Sequence, residues 1–149
     1  YHVDSLISSL MQILGLDSHW HVAIIGLGKV GAALAKYKGF QRSNFKICAI
    51  FDIDSKKVGI DYNGIHVYHT NDLKKITKEK NIKIAIIAVP THSAKIAIEN
   101  AISAGIRGIL NFTEARIVMP EGFLLKNVNL SAELETLSFY LTHPELSCR

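Results

Sequence analysis

The segment HVAIIGLGKVGAALAKY, residues 21–37, constrains the fold more than any other part of the chain. An apolar run typical of a buried strand leads directly into the pattern G-x-G-x-x-G, formed by Gly26, Gly28 and Gly31, and an alanine-rich stretch typical of a helix follows. In such a unit the first glycine permits a tight turn, the second lets a ligand approach the backbone, and the third lets the helix pack closely on the strand. The segment therefore predicts a strand–turn–helix unit that binds the pyrophosphate of a dinucleotide at the helix N-terminus.

Segments with strand-like and helix-like patterns alternate along the rest of the chain. The apolar runs lack the one-in, one-out alternation of a half-exposed sheet, which indicates strands buried on both faces. Gly15 and Gly105 are the expected ends of the first and fourth helices. We therefore expect an α/β fold, a doubly wound parallel sheet of the Rossmann type. Strands are predicted over 21–26, 45–54, 82–90, 106–112 and 126–131, with a turn and short strand in 62–69, and helices over 4–16, 29–37, 71–80, 93–105 and 132–141.

An acidic residue ends the second predicted strand, which is where a dinucleotide-binding fold places its ribose ligand. Asp52 follows Gly31 by 21 residues, and its carboxylate can accept both hydroxyls of the adenosine ribose. A carboxylate there repels a 2′-phosphate, so NAD(H) is favoured over NADP(H). Asp54 is the competing candidate, although Asp52 ends the apolar run more directly. A flavodoxin-like or nucleotide-free sheet with coincidental glycines stays open as an alternative.

The ends of the later strands are expected to line the same crevice. His92 follows one of these strands and is a candidate for proton transfer, although polar lining is the commoner role of such a histidine. Lys29 places a cation near the phosphates, although a solvent-facing lysine at a helix start would look the same. The candidate cofactor-binding residues of the motif and the strand ends are Gly26, Leu27, Gly28, Lys29, Val30, Gly31, Asp52, Ile53, Asp54, Val89, Pro90, Thr91, His92, Asn111, Phe112 and Thr113.

Length and composition limit the class of protein. A chain of 149 residues with 48% hydrophobic residues suits one globular domain, and no apolar run reaches the roughly 18 residues of a membrane span. The net charge of +4 is only a weak indication of a nucleic-acid partner, because many lysines fall in 71–83, which reads as a solvated helix. Cys48 and Cys148 lie far apart and predict neither a disulfide framework nor a metal site. Together with the lack of a signal peptide, this predicts a cytoplasmic protein.

The Rossmann unit fills almost the whole chain, which bears on catalysis. About 20 residues precede it and about 20 follow its last strand, so there is no room for a substrate domain. We therefore expect a sensing or regulatory protein with no catalytic residues rather than an enzyme. The chain begins with Tyr1 rather than methionine, which suggests a processed product or a fragment.

Longer stretches of the sequence are more specific than the glycine pattern. GLGKVGAALAKYKGF, IAIIAVP, AGIRGILNF and NVNLSAELETLSFYL resemble the C-terminal NAD(H)-binding domain of the Rex family, bacterial redox-sensing transcriptional repressors, and the resemblance covers essentially all 149 residues. It implies homodimers that release DNA when the NADH/NAD+ ratio rises, and whose C-terminal helix swaps between subunits to pack beside the partner's cofactor. It also divides the chain into a linker helix (1–17), a Rossmann domain (18–130) and a C-terminal helix and tail (131–149).

The resemblance assigns further residues and exposes two departures. It implies that Tyr37 lies close to the nicotinamide and that Phe139, Tyr140 and Leu141 belong to the swapped helix. Asn129 stands where the family commonly has an aspartate that faces the tyrosine, so any redox coupling there is expected to be weaker, since neutral hydrogen bonds are weaker than charge-assisted ones. The family's N-terminal winged-helix domain has no counterpart, so we expect no operator binding by this chain alone.

Several interpretations remain open at this stage. The chain is either an excised sensor domain of a Rex repressor or a paralogue that has lost its DNA-binding half. From another class, it is an NAD- or CoA-binding domain of an oxidoreductase or ligase that acts with a partner chain. A dimerisation module with a vestigial nucleotide site is the third alternative.

Overall fold

The computed structural model describes residues 2–14 and 19–146, and its centre is one sheet. The strands within these ranges are β1 Trp20–Ile25, β2 Phe45–Asp52, β3 Asp61–Tyr62, β4 Ile65–His69, β5 Ile84–Ile87, β6 Gly108–Asn111 and β7 Leu124–Asn127. They lie in the order β3–β4–β2–β1–β5–β6–β7, and neighbouring strands are parallel except for the antiparallel pair β3–β4. From the central strand β1 the chain builds one half of the sheet and then returns to build the other, which confirms the doubly wound prediction.

Helices follow most of the parallel strands and cover both faces of the sheet. The α-helices of the described residues are α1 Val3–Ile13, α2 Lys29–Ala35, α3 Gly39–Arg42, α4 Leu73–Glu79, α5 Thr91–Ser103 and α6 Leu130–Thr142, with short 3₁₀ turns at Thr70–Asp72 and Pro144–Leu146. Helices α2 and α3 link β1 to β2, α4 links β4 to β5, and α5 links β5 to β6.

The core consists of two apolar layers, one on each face of the sheet. Ala23 and Ile25 of β1 point into the layer beneath α4 and α5, whereas Val22 and Ile24 of the same strand point into the layer beneath α2. All four side chains are buried. Because successive strand residues face opposite sides, a strand buried on both faces must be apolar at every position. This explains the continuous apolar runs in the sequence.

The largest shift from the predicted boundaries is at the last strand and helix. The strand ends at Asn127 instead of residue 131, and α6 begins at Leu130 instead of residue 132. Asn129 is the N-cap of α6, where its Oδ1 accepts a hydrogen bond from the backbone N–H of Ala132 at 3.0 Å. An asparagine in this position stabilises a helix start, which the strand-like reading of KNVNLS overlooked.

The other helices also differ from the prediction at their ends. Helix α2 stops at Ala35, where Asn63 Nδ2 donates to the last-turn carbonyl at 3.0 Å, and the separate short helix α3 follows. Helix α5 begins at Thr91, directly after Pro90, instead of at residue 93. The predicted Asn63–Gly64 turn is present, and both residues have positive φ, 51° and 78°, as a tight two-residue hairpin requires.

Two predicted features lie outside the described residues, and two further findings concern membrane spans and metal sites. The proposed helix end at Gly15 and the position of Cys148 lie outside the described ranges. No helix in the described part of the chain is long and apolar enough to cross a membrane. Within the same residues, no cluster of three or more His, Cys, Asp or Glu side chains is arranged to hold a metal ion.

Candidate dinucleotide-binding site

The three glycines of the motif form the turn between β1 and α2, and each has a different environment. Gly26 has a φ of +103°, and a Cβ there would lie 2.6 Å from the carbonyl oxygen of Ala88. A Cβ on Gly31 would overlap the carbonyl oxygen of Gly26. Packing inside the protein therefore requires the first and third glycines.

The second glycine instead faces open space. Among the described residues, a Cβ on Gly28 would meet no atom within 4 Å, and the φ of −89° is one that any residue adopts. Packing in this part of the chain therefore does not require a glycine there, whereas a ligand that approaches the backbone closely would. Gly28 is also the N-cap of α2, and the neighbouring Lys29 and Val30 are exposed in the first turn. The loop thus fits a pyrophosphate laid across the helix start.

Asp52, at the carboxyl end of β2, is hydrogen-bonded directly to this loop. Its Oδ2 accepts from the backbone N–H of Leu27 at 2.8 Å, and its Oδ1 accepts from the N–H of Asp54 at 2.8 Å. The side chain is partly exposed, and each carboxylate oxygen can accept a second hydrogen bond. Asp52 can therefore still accept ribose hydroxyls beside the glycine loop.

Asp54 has a different environment. Its Oδ1 accepts from the backbone N–H of Lys56 at 3.0 Å, so this carboxylate supports the turn after β2. Ile53, between the two acids, is exposed. Of the two candidate carboxylates, only Asp52 is bonded to the glycine loop in the described structure.

A residue that the sequence analysis missed also bonds to the loop. Lys57 Nζ donates to the carbonyl oxygen of Leu27 at 2.9 Å. Leu27 therefore has its N–H bound to Asp52, its carbonyl bound to Lys57, and its side chain buried in the core. No pattern in the sequence marks Lys57, because lysine is common in turns and the contact spans 30 positions.

The end of β5 lies beside the loop, since β5 pairs with β1. The N–H of Ala88 donates to the carbonyl of Ile25 at 2.8 Å, and Val89 Cγ1 lies 2.9 Å from a Cβ built on Gly26. Pro90 is the N-cap of α5, and the exposed Thr91 and His92 form its first turn rather than a loop. The structure therefore brings the predicted Val89–His92 segment next to the glycine turn.

The end of β6 is held by an internal polar network. Asn111 is fully buried, and its Nδ2 donates to Asn127 Oδ1 at 2.9 Å and to the carbonyl of Ala115 at 3.1 Å. Its Oδ1 accepts from both the N–H and the hydroxyl of Thr113, at 3.0 and 2.7 Å. These four bonds use the full capacity of the amide. Asn111 therefore shapes the loop that carries the partly buried Phe112, and has no polar atom left for a ligand.

Tyr37 and Asn129 each have separate contacts within the single chain. The Tyr37 ring packs over Gly39, where a Cβ would overlap it, and contacts Phe40 edge-on with ring centroids 4.8 Å apart. The tyrosine nevertheless remains 59% exposed. Asn129 caps α6, and no hydrogen bond joins it to Tyr37 among the described residues. Each is therefore accessible for a contact outside its own chain.

Comparisons with known proteins agree with this geometry. The family model described as CoA binding domain matches residues 17–115. The redox-sensing transcriptional repressor Rex of Syntrophomonas wolfei is 40% identical over 95% of this chain and 67% of its own length. The chain belongs to the Rex family. The Rex repressors it matches are transcriptional regulators, which confirms the prediction that the chain is not an enzyme. The chain spans two thirds or less of the length of several of these Rex relatives.

Solved Rex structures share the fold over almost the whole chain. The Rex-family repressor RSP in complex with β-NADH matches with a TM-score of 0.84 and 34% identity, over 98% of this chain and 71% of its own. RSP in complex with β-NAD+ and operator DNA matches with a TM-score of 0.86 and 34% identity, over 98% of this chain and 67% of its own. The Rossmann-type fold predicted from the sequence is therefore the Rex fold.

Proposed function

We propose that this Rex-family chain is an NAD(H)-binding sensor domain that reports the NADH/NAD+ ratio to a transcriptional repressor. One observation carries the proposal: Asp52 is bonded to Leu27 beside the open face of Gly28. This arrangement offers a ribose ligand and a phosphate ligand side by side. The proposal is supported by the RSP structures in complex with β-NADH and with β-NAD+ and operator DNA.

The proposed roles follow the position of each residue. Asp52 accepts the ribose hydroxyls, and the Gly28 backbone and first turn of α2 receive the pyrophosphate. The Val89–His92 segment and the loop held by Asn111 line the neighbouring part of the crevice. The proposed contacts with the cofactor come from Gly26, Leu27, Gly28, Lys29, Val30, Gly31, Tyr37, Asp52, Ile53, Val89, Pro90, Thr91, His92, Phe112 and Asn129. Asp54, Asn111 and Thr113 complete the proposed set by holding in place the turn after β2 and the loop after β6.

Redox sensing requires a difference in affinity between the two cofactor forms, since a ligand with equal affinity for two states shifts no equilibrium. The nicotinamide ring is positively charged when oxidised and neutral when reduced. We propose that the exposed Tyr37 and Asn129 discriminate between the charged and the neutral nicotinamide ring. Because the Asn129 amide carries no charge, its coupling to the tyrosine is expected to be weaker than that of a carboxylate.

A homodimer is part of the proposal, and helix α6 supports it. Every residue of α6 is exposed in the single chain, including Leu134, Leu137 and Leu141, which are 66%, 60% and 81% exposed. These leucines recur at helical spacing, and a stripe of this kind is normally buried against a partner. We propose that α6 swaps onto a second copy, where it covers the partner's site.

Our proposal for DNA binding is based on the longer Rex relatives. The RSP complex with operator DNA shares 67% of its length with this chain. We propose that residues 1–149 bind the cofactor and pair, that operator DNA is contacted by a part of the repressor outside them, and that the protein acts in the cytoplasm, where the DNA lies.

A second candidate ligand is coenzyme A, because the matching family model is described as a CoA binding domain. The Asp52 carboxylate at the ribose position opposes it, since the negative charge repels the 3′-phosphate that CoA carries on that ribose. NAD(H) therefore remains the proposed ligand.

The test is a calorimetric titration of the 149-residue chain with NADH, NAD+ and CoA separately, with the dimer mass followed by sedimentation. Tight binding of NADH with weaker binding of NAD+ would support the sensor. Equal affinity for the two forms would show a pocket that holds the cofactor without reporting its redox state. Binding of CoA alone would favour the enzyme-domain alternative, and a dimer indifferent to all three would favour a vestigial site.

A further inference from the structure

The side chain of Lys57 is bonded to the glycine loop but is not among the proposed cofactor contacts. Lys57 Nζ lies 2.9 Å from the carbonyl oxygen of Leu27, and both residues are at least partly buried. The turn after β2 fixes where this side chain starts. The N–H groups of Lys57 and Val58 donate to the carbonyl of Asp54 at 2.9 and 3.1 Å. The lysine is therefore directed at the loop by a hydrogen-bonded turn.

The carbonyl that Lys57 holds belongs to the same planar peptide unit as the N–H of Gly28. In a trans peptide the C=O and N–H point in opposite directions, so an ammonium on the Leu27 carbonyl fixes the direction of the Gly28 N–H. The preceding peptide, Gly26–Leu27, is fixed in the same way by Asp52, which holds the Leu27 N–H. Two oppositely charged side chains thus orient the two consecutive peptides of the loop.

We propose that Lys57 is a positioning residue that aims the Gly28 N–H at the diphosphate of a dinucleotide. The inference rests on the proposed function and adds a residue to it. A charged donor on a carbonyl also polarises the peptide, which makes the N–H on its other side a better donor.

Loss of the Lys57 contact should affect every ligand that carries the diphosphate. Lys57 acts on the phosphate loop and not on the nicotinamide, so Lys57→Met should weaken NADH, NAD+ and ADP by the same factor, about tenfold for a lost charge-assisted hydrogen bond. Lys57→Arg should keep most of the affinity, because a guanidinium can still donate to the carbonyl. Lys56→Met is the matched control, since Lys56 is its exposed neighbour in the same turn.

The experiment combines these titrations with ligand-free NMR of the Gly28 amide in the wild type and the variants. A displaced and more rapidly exchanging Gly28 resonance in Lys57→Met alone, together with the uniform affinity loss, would support the proposal. Equal behaviour of Lys57→Met and Lys56→Met would overturn it. So would an affinity loss that largely disappears in high salt, because it would show a direct ionic contact of Lys57 with the phosphates.

The two proposals can fail separately. A wild-type chain that binds no nucleotide would overturn the sensor function, while the Gly28 resonance would still show whether Lys57 orients the loop. If Lys57→Met does not fold, Lys57→Ala also removes the donor, and the same comparison with Lys56→Ala decides the question.

Discussion

Replacing Asp52 by asparagine tests the site most directly, because both carboxylate oxygens accept from backbone N–H groups. Oδ2 accepts from Leu27 and Oδ1 from Asp54, each at 2.8 Å. An asparagine has the same shape but only one acceptor, so its NH₂ group must face one of the two N–H donors. The substitution therefore replaces two charge-assisted bonds by one neutral bond and leaves one backbone donor without its acceptor.

The expected cost is about 2 kcal/mol in the free energy of unfolding, since a bond to a charged group contributes about 1.5–3 kcal/mol and the part-exposed N–H regains some solvent contact. For a chain of this size, that lowers the melting temperature by about 4–8 °C. NADH affinity should fall at least about tenfold, because the ribose hydroxyls lose the charged acceptor. The preference for NADH over NADPH should narrow, since the charge that repels a 2′-phosphate is gone.

Asp54→Asn is the matched control for this prediction. Among the described residues, the Asp54 carboxylate accepts only from the Lys56 N–H, at 3.0 Å, and an asparagine can make the same bond with its own Oδ1. We expect a change of at most about 0.5 kcal/mol in stability and little change in affinity. Urea unfolding and NADH titration of both variants give the comparison. If the two variants behave alike, Asp52 does not hold the loop, and the assignment of the ribose site is wrong.

Four further predictions test other parts of the molecule. Gly28→Ala should fold normally but bind NADH more weakly. Gly31→Ala should lose about 1–3 kcal/mol in the free energy of unfolding, because its Cβ overlaps the Gly26 carbonyl. Thermal melts combined with NADH titrations distinguish the two effects. Leu137→Glu should shift the sedimentation of the chain from dimer to monomer, and an unchanged mass would place the interface elsewhere. Asn129→Asp should keep the helix cap, within about 0.5 kcal/mol, but widen the difference between the NADH and NAD+ affinities; an unchanged affinity ratio would remove position 129 from the sensing step. Burial raises the pKa of the Cys48 thiol despite nearby Lys46 and Lys80, so its alkylation at neutral pH should be slower than that of a free thiol, and an equal rate would contradict this.

The parts of the site that the sequence predicted are those in which a local pattern has a single structural explanation. The glycine spacing identified the turn because a Cβ at Gly26 or Gly31 collides with backbone. The acid at the end of β2 was identified because a parallel sheet places that strand end beside the turn. The strand pattern gave the fold class because central strands buried on both faces must be apolar throughout.

The parts that the sequence missed depend on contacts between distant residues. Nothing near Lys57 marks its bond to Leu27, 30 positions earlier. The same holds for Asn127, which binds the Asn111 amide across neighbouring strands. The sequence placed Asn111 correctly at a strand end but could not show that all of its hydrogen-bonding capacity is used inside the protein. Asparagine is a common N-cap residue, so the sequence contained a signal for the helix start at Asn129, but the preceding apolar residues favoured a strand.

The proposed site divides into two halves that differ in how completely one chain builds them. The phosphate and ribose half is complete within the chain, because the loop residue Leu27 is fixed on both sides by Asp52 and Lys57. The half assigned to the nicotinamide is open, since Tyr37 is exposed and Asn129 lies at the start of α6, none of whose residues is buried. If α6 of a second copy closes that half, cofactor affinity resides in one chain and redox discrimination resides in the pair. Dimer formation and redox sensing are then coupled, because α6, the helix that completes the dimer, is capped at its start by Asn129, the residue assigned to the nicotinamide ring.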